Sequence, residues 1–108
     1  MKGTLDVLVL EALSQEPMHG YGVSRWIGVT TQGILSVEEA ALYQALHRME
    51  RRGWLESEWG RSEKNRRAKF YSLTDMGWAQ LEHERGIMAR YVRALTLALG
   101  LGAGGASS

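Results

Sequence analysis

Residues 35–71 decide the fold of this chain, and they read LSVEEAALYQALHRMERRGWLESEWGRSEKNRRAKFY. In the first part of this stretch, apolar residues recur at helical spacing at Leu42, Leu46 and Met49. We therefore expect a helix over residues 37–52, with its apolar side packed into the core and a polar side left free.

Both ends of this helix carry local signals. Ser36 followed three residues later by Glu39 has the form of a capping box. In such a box the serine side chain accepts a backbone N–H of the first turn, and the glutamate side chain accepts the backbone N–H of the serine. Gly53 marks the other end, because glycine readily takes the left-handed conformation that stops a helix.

Two strands are expected after the helix. Residues 54–59 mix aromatic and apolar side chains with polar ones, and residues 68–73 alternate imperfectly, as half-buried antiparallel strands do. Residues 60–67, between them, are polar and lack apolar anchors, which predicts a loop longer than a tight turn. This order of helix, strand, charged loop and strand predicts a winged helix-turn-helix, a mainly α fold with a small β wing.

Further helices are expected over residues 4–15, 21–30 and 75–99. The first is apolar nearly all round and the last carries a partial heptad pattern, so both have surface that can pack on a partner subunit. Ile34 and Leu35 are expected to add a very short strand.

Composition narrows the class of protein. The chain has 108 residues, 44% of them hydrophobic and 23% charged, which suits one globular domain. It has no cysteine, which excludes a disulfide framework, a thiolate zinc site and a cysteine nucleophile. The apolar N-terminal run is short and interrupted by Asp6 and Glu11, so we expect no signal peptide, no membrane span and a cytoplasmic location.

Positive charge is concentrated although the net charge is only +1. Eight basic residues fall within residues 48–69, and the acids that oppose them there are Glu50, Glu56, Glu58 and Glu63. A charge run is usually only a solvated surface. Here it coincides with the predicted wing, which favours a polyanion as partner.

The polar side of the central helix has the chemistry of base contacts. The major groove of B-DNA admits an α-helix, and in it glutamine pairs with adenine and arginine with guanine. We therefore predict base contacts by Gln44 and Arg48, and base or phosphate contacts by Tyr43 and His47. Packing against neighbouring elements is the alternative for the last two.

Phosphate contacts are predicted at two helix starts and in the wing. Ser36 and Tyr21 lie near helix N-termini, where backbone N–H groups favour an anion, although capping is the alternative role of Ser36. The wing cations, which would add affinity with little sequence information, are Lys64, Arg66, Arg67 and Lys69.

The chain resembles the PadR family of transcriptional regulators over nearly its whole length. The resemblance is carried by PMHGYG at residues 17–22, LYQALHRME at residues 42–50 and RRAKFYSLT at residues 66–74. It looks like the short subgroup, with a single C-terminal dimerisation helix. The resemblance implies a homodimeric repressor that binds double-stranded DNA at a palindromic operator, often beside genes for detoxification, efflux or membrane proteins.

Two positions depart from the family pattern. Gln44 stands where the family usually has proline, and its amide is free for a base edge. Ala41 stands where the family commonly has serine or threonine, so a hydroxyl that would hold a phosphate is absent. The family's DNA contacts therefore do not transfer directly at these positions.

The resemblance also implies a small-molecule inducer, since some relatives bind flat aromatic drugs between the first and last helices of the dimer. The corresponding candidates here are Trp78, Met88 and Tyr91, with an interface core as their alternative role. We expect Trp54, Trp59 and Trp78 to be core residues and not a cofactor platform.

Neither an enzyme nor a cofactor is expected. The histidines, His19, His47 and His83, lack the spacing of helical metal ligands, and no glycine-rich phosphate loop or serine triad is recognisable. A metal site built across a dimer stays open as an alternative.

Three functions remain in competition. The first is a dimeric DNA-binding repressor, and the second is a winged-helix module that binds proteins and not DNA, which the four glutamates would support. The third is a small-molecule or metal sensor whose ligand loosens the dimer. The first divides the chain into a DNA-binding domain over residues 1–74, a dimerisation helix over 75–99 and a flexible tail over 100–108.

Overall fold

The computed structural model describes residues 4–102 of the chain. Within them lie four helices and two strands, in the order α1 (Thr4–Leu13), α2 (Gly20–Thr30), α3 (Glu39–Arg51), β1 (Leu55–Arg61), β2 (Arg67–Leu73) and α4 (Asp75–Leu99). The prediction of a short strand at Ile34 and Leu35 is wrong, since both residues lie in the irregular segment before α3. Residues 1–3 of the predicted first domain and residues 103–108 of the predicted tail lie outside the described residues.

The core forms where α1 lies against α2, α3, the β-hairpin and the start of α4. Its buried apolar side chains come from all of these elements: Val9, Leu10, Ala12, Leu13, Met18, Val23, Ile27, Leu42, Ala45, Leu46, Met49, Leu55, Tyr71, Leu73 and Leu81. Removing one such leucine from water contributes about 2 kcal/mol. Contacts of α1 with four other elements account for its apolar character within a single chain.

The helices α2 and α3 form a helix-turn-helix, and Thr31 fixes the turn between them. The Thr31 hydroxyl donates to the carbonyl of Ile27 (2.8 Å) and accepts the N–H of Leu35 (3.1 Å). Gln32 and Gly33 have positive φ angles of 56° and 79°, which turn the chain sharply after α2. With the hairpin β1–β2 beside them, these helices make a winged helix-turn-helix, as the sequence predicts.

The helix α3 begins two residues later than predicted. Glu38 is its N-cap residue and makes no side-chain cap hydrogen bond, while Ser36 lies exposed in the segment before it. Val37 packs against the core that contains Leu42, and these two residues occupy the positions of a hydrophobic staple. The predicted capping box of Ser36 and Glu39 is therefore wrong, because burial of Val37 fixes an extended entry into the helix.

The start of α4 is locked onto the end of α3. Gly53 ends α3 with a φ of 81°, as its sequence predicts. The Thr74 hydroxyl donates to the Gly53 carbonyl (2.6 Å) and caps α4 by accepting the N–H of Gly77 (3.0 Å). Gly77 itself is seated so closely that an added Cβ would lie 2.1 Å from the carbonyl oxygen of Trp54.

One face of the hairpin changes character along its length. Leu55 pairs with Leu73 in the core, and the next pairs outward on the same face are Ser57 with Tyr71, Trp59 with Lys69 and Arg61 with Arg67. The face is therefore apolar where it meets the helices and cationic at its tip.

The expectation that three tryptophans are core residues holds for only one of them. Trp54 packs against the core, but Trp59 and Trp78 are 57% and 48% exposed. Trp59 has the correct strand face for burial, yet β1 extends beyond the core at that point. Trp78 lies near the start of α4 with about half of its side chain exposed.

The second half of α4 extends beyond the core. Leu81 is its last buried residue, and farther along the apolar side chains are exposed: Ile87, Tyr91, Val92, Leu95, Leu97 and Leu99. Within residues 4–102, no helix has the length and apolar character needed to cross a membrane.

Candidate nucleic-acid interface

A groove of about 560 Å³ lies between the start of α2, the exposed side of α3 and the hairpin. Residues predicted from three separate parts of the sequence line it: Tyr21, Tyr43, His47, Lys64, Arg66, Arg67 and Lys69. Trp59 and His19 complete its aromatic wall. The fold therefore brings these side chains to one surface that is both aromatic and cationic.

Tyr43 is packed and accessible at the same time. Its ring lies on Gly20, the first residue of α2, where an added Cβ would be 2.6 Å from the Tyr43 hydroxyl oxygen. The side chain remains partly exposed on the groove side. The absence of a side chain at Gly20 is thus what lets Tyr43 lie across the start of α2.

The base of the wing holds its cations on aromatic rings. The Arg67 guanidinium lies 4.2 Å from the centre of the Trp59 ring, a contact that contributes about 0.5–1 kcal/mol when exposed. Lys69 Nζ lies 5.6 Å from the centre of the Tyr71 ring and 3.3 Å from a Glu50 carboxylate oxygen. Both cations are held in place before any partner arrives.

The tip of the wing is a short loop over residues 62–66. The Ser62 N–H donates to the Arg66 carbonyl (2.8 Å), and Asn65 takes a positive φ of 58° at the turn. Lys64 and Arg66 are exposed there and make no ion pair with the described residues. The loop is shorter than the predicted 60–67 because the strands extend by up to two residues into it.

Two of the four acids near the basic residues are held by partners inside the molecule. The Ser57 hydroxyl, which donates to Glu50 (2.6 Å), and then Lys69 lower the pKa of the Glu50 carboxyl. Glu63 in the wing loop lies 3.4 Å from the Nε2 atom of His19.

The other two acids lie on the opposite face of the hairpin. Glu56 and Glu58 alternate along β1 with Ser57 and Trp59, and Trp59 lines the groove, so the two glutamate side chains point away from it. Glu50 pairs with Lys69, and Glu63 lines the groove, where four lysine and arginine side chains outnumber it.

Arg48 is not on this surface. Its guanidinium pairs with the carboxylate of Asp6 in α1 and is half-buried there. One residue after His47, α3 has turned by about 100°, so the Arg48 side chain points toward α1 and not into the groove. The base contact predicted for Arg48 stays a prediction.

Gln44 and Ser36 are exposed but lie outside the groove. Gln44 follows Tyr43 on the outer side of α3, and Ser36 lies in the segment before the helix. Neither side chain makes a hydrogen bond with the described residues.

Residues 9–83 match the family described as transcriptional regulator PadR-like. The chain belongs to the PadR-like family of transcriptional regulators. Solved structures agree with this assignment. A PadR-like transcriptional regulator from Bacillus cereus is 28% identical, with 94% of this chain and 96% of that chain covered and a TM-score of 0.73.

Two further structures are similar to this PadR-like protein. A PadR family transcription regulator from Clostridium difficile is 25% identical over 90% of this chain and 99% of that chain, with a TM-score of 0.74. Bacillus subtilis PadR in complex with operator DNA shares the fold at 20% identity, with 74% of this chain and 45% of that chain covered and a TM-score of 0.66.

The three candidate inducer contacts of this PadR-like protein do not meet within one chain. Trp78 and Tyr91 are exposed on α4, and Met88 is half-buried. Trp78 and Tyr91 lie about 20 Å apart along the helix axis and about 140° apart around it. A single site that uses both would need a second copy of the chain.

No cluster of three or more potential metal ligands occurs within residues 4–102. His19, His47 and His83 are on three different elements or their ends. The groove offers cations, aromatic rings and hydroxyl groups, which suit a polyanion better than a metal ion.

Three groove residues are not predicted as site residues from the sequence. The sequence predicts Trp59 in the core, and the signal that it lies beyond the core is the charge of Arg61 two residues later on the same face. His19 caps α2 by accepting the Gly22 N–H at Nδ1 (3.0 Å), but histidine is not a preferred N-cap, so the sequence gives no signal for it. The role of Gly20 becomes visible only when Tyr43 is placed against it.

Proposed function

We propose that this protein is a DNA-binding transcriptional repressor that acts as a homodimer. The observation that carries the proposal is the groove, in which Tyr43 and His47 from α3 face the cations of the wing. A major groove admits one α-helix, and phosphates on either side of it suit cations held on a neighbouring hairpin.

In this proposal α3 lies in the major groove. In the DNA major groove, Gln44 contacts adenine through its amide, and Tyr43 and His47 contact bases or phosphates nearby. A base contact by Arg48 would require its ion pair with Asp6 to open.

The wing then follows the DNA backbone or the minor groove. Lys64 and Arg66 are the exposed, unpaired cations at its tip among the described residues, while Arg67 and Lys69 lie against aromatic rings at its base. Tyr21 and Ser36, both exposed near the helix-turn-helix, supply further phosphate contacts. These contacts position the protein and add affinity that falls with salt.

Family membership supports this function, and so does the structural likeness to a PadR protein that was crystallised with operator DNA. The exposed apolar residues of α4 support the dimer. We therefore assign DNA binding to residues 1–74 and dimerisation to residues 75–99, which places two wings at a set spacing on a palindromic operator.

A gel-shift assay on the DNA upstream of the protein's own gene tests the proposal. We expect sequence-preferring binding that weakens by ~10³–10⁵-fold between about 50 and 200 mM salt if the dimer neutralises about 6–10 phosphates. Binding that ignores both sequence and salt would contradict a role as a DNA-reading regulator.

A charge-matched pair of double variants tests the role of the wing in DNA binding. Removing two tip cations with Lys64→Ala and Arg66→Ala should lower the salt slope by about 2 for each wing on DNA. The control removes two exposed cations of α4, with Arg90→Ala and Arg93→Ala, and should keep the slope. If both double variants keep wild-type DNA binding and regulation, a protein-binding winged-helix module becomes the better account.

A small-molecule inducer at the dimer interface is the second proposal, and the exposure of Trp78 and Tyr91 favours it. Both residues expose their aromatic rings on α4, and Met88 lies between them along the helix. Tryptophan quenching by a panel of flat aromatic compounds tests this, with loss of the response in Trp78→Phe and not in Trp59→Phe. Quenching that depends only on Trp59 would place such ligands in the groove instead.

A further inference from the structure

Glu63 is an acid in a loop whose other charged residues are cations. The wing loop over residues 62–66 reads SEKNR, so one glutamate lies directly beside Lys64. A carboxylate next to a surface that would meet phosphates lowers DNA affinity by repulsion, so its place in the loop needs a different explanation. The structure gives it a partner outside the wing, at the start of α2.

His19 is that partner, and its two ring nitrogens have different tasks. Nδ1 accepts the backbone N–H of Gly22 (3.0 Å) and so caps α2. A neutral imidazole with a bare Nδ1 carries its proton on Nε2. Nε2 is the atom that lies 3.4 Å from the Glu63 carboxylate, so the tautomer required by the cap is the one that donates to the wing.

Other contacts hold the same part of the wing. The rings of His19 and Phe70 meet edge to face with centres 5.1 Å apart. Beside them, Met18 and Tyr71 exchange two backbone hydrogen bonds of 3.1 and 2.8 Å, which add one bridge to the outer edge of β2. The backbone bridge secures the base of the hairpin. Among the hydrogen bonds within residues 4–102, the His19–Glu63 contact is the one that joins the loop to an element outside the hairpin.

We infer that His19 and Glu63 form a clasp that sets the distance between the wing loop and the helix-turn-helix. His19 is then a positioning residue, and Glu63 serves to hold the loop and not to meet DNA. In the DNA-bound state the clasp presents Lys64 and Arg66 at a fixed place relative to α3. This inference rests on the proposed function for its effect on DNA, but the clasp itself exists without DNA.

The charge around the clasp is consistent with this role. Glu63 is held by its own backbone N–H first and by His19 second, and both lower the pKa of its carboxyl. Arg25 of α2 also lowers the pKa of Glu63, Lys64 is its neighbour in sequence, and the Tyr21 ring stacks on the imidazole with centres 6.3 Å apart. The carboxylate therefore stays ionised while it faces α2.

His19→Asn and Glu63→Ala separate the clasp from the other roles of these residues. Asparagine is a good N-cap, so His19→Asn keeps α2 capped but is too short to reach the wing. Glu63→Ala breaks the same contact from the other side. Glu58→Ala is the matched control, since it removes an equally exposed acid from β1 that has no ion-pair partner within residues 4–102.

Backbone ¹⁵N relaxation of the full-length protein without DNA is the first measurement. We expect residues 62–66 to become more mobile in His19→Asn, in Glu63→Ala and equally in the double variant, while Glu58→Ala leaves them unchanged. Unchanged mobility in both single variants would overturn the clasp, whatever the protein does with DNA.

Affinity for the operator is the second measurement, and it separates positioning from simple repulsion. The clasp predicts that both single variants bind about 3–10-fold more weakly, with a smaller salt slope, and that the double variant is no weaker than either. Tighter binding by Glu63→Ala together with unchanged binding by His19→Asn would mean that Glu63 acts only by its charge. Increased loop mobility in a protein that binds no DNA would instead retain the clasp and reject the proposed function.

Discussion

At the scale of single residues, neighbours on α3 have opposite roles because the helix turns by about 100° per residue. His47 faces the groove, whereas Arg48 pairs with Asp6 from α1. Both are polar side chains that a helical wheel places outside the apolar stripe of Leu42, Leu46 and Met49. The partner that decides between them lies 42 residues away along the chain.

Arg48→Met should destabilise the protein more at neutral than at acid pH. Burial raises the pKa of Asp6 above its ordinary 3.8, and Arg48 opposes this rise. The contribution of Asp6 to stability is therefore full below its ordinary pKa and is lost as the pH rises through the raised value. Without Arg48 the pKa rises further, so we expect an additional loss of about 1–2 kcal/mol at about pH 7 and little at about pH 4.

Urea unfolding at the two pH values measures this effect. Arg51→Met is the control, because Arg51 is exposed on the same helix and makes no ion pair with the described residues. Equal destabilisation by Arg48→Met at both pH values would mean that the guanidinium contributes packing and not charge.

Gly20→Ala should displace Tyr43. The new Cβ would lie 2.6–2.8 Å from three atoms at the end of the Tyr43 side chain, so the ring has to leave its place over α2. We expect a loss of about 1–2 kcal/mol in unfolding free energy, as for other overpacked sites. Weaker binding to the operator should accompany it.

A double-mutant cycle with Tyr43→Ala shows whether the ring is the cause. Once the ring is removed, Gly20→Ala should cost little further stability. An undiminished cost in the Tyr43→Ala background would point to the backbone of α2 as the origin.

At the scale of elements, the docking of α4 depends on a close backbone approach. Gly77 faces the Trp54 carbonyl, which already accepts the N–H of Thr74 (3.1 Å) and cannot move freely. The neighbour of Gly20 is the end of a side chain, but the neighbour of Gly77 is backbone. The two glycines therefore differ in how much strain a methyl group would create.

We expect Gly77→Ala to destabilise the protein by about 3 kcal/mol, at the upper end for an added methyl group. Gly28→Ala is the control within another helix, since nothing lies within 4 Å of its Cβ position. The free energy of unfolding of that variant should rise by about 0.5–1 kcal/mol, because alanine has a higher helix propensity than glycine. Thermal unfolding of both variants measures the difference, and a mild effect of Gly77→Ala would show that the α4 start can shift.

Most elements were predictable from sequence because their signals are local. Gly53 stops α3 and Thr74 caps α4 as expected, and α4 has the predicted bounds. The start of α3 was not predictable in the same way. Ser36 has the chemistry of a cap, but burial of Val37 against distant residues sets the entry two residues later.

At the scale of the whole molecule, α4 is 25 residues long and spans about 37 Å, while its last buried residue is Leu81. Met88, Val92, Leu95 and Leu99 follow a heptad-like spacing along the uncovered half. An apolar helix side of this length without a partner is costly in water, which is why we propose that a second copy covers it.

We expect the wild-type protein to be a dimer whose melting temperature rises with protein concentration. Val92→Lys combined with Leu95→Lys should produce a monomer of lower stability, because charges would be buried in the interface. Leu97→Lys is the control, since Leu97 is more exposed and lies off this stripe. Sedimentation velocity measures all three proteins, and a monomeric wild type at micromolar concentration would contradict the proposal.

The order of helices and strands and the position and charge of the wing follow from local sequence, since periodicity, stop residues and composition are properties of short stretches. Which polar side chains share the groove depends on tertiary packing. Tyr21, Tyr43 and the wing meet there because α1 and the hairpin pack around α3, and His19 holds Glu63 across 44 residues of chain. Such long-range contacts depend on how elements pack against one another, which a local pattern of residues does not specify.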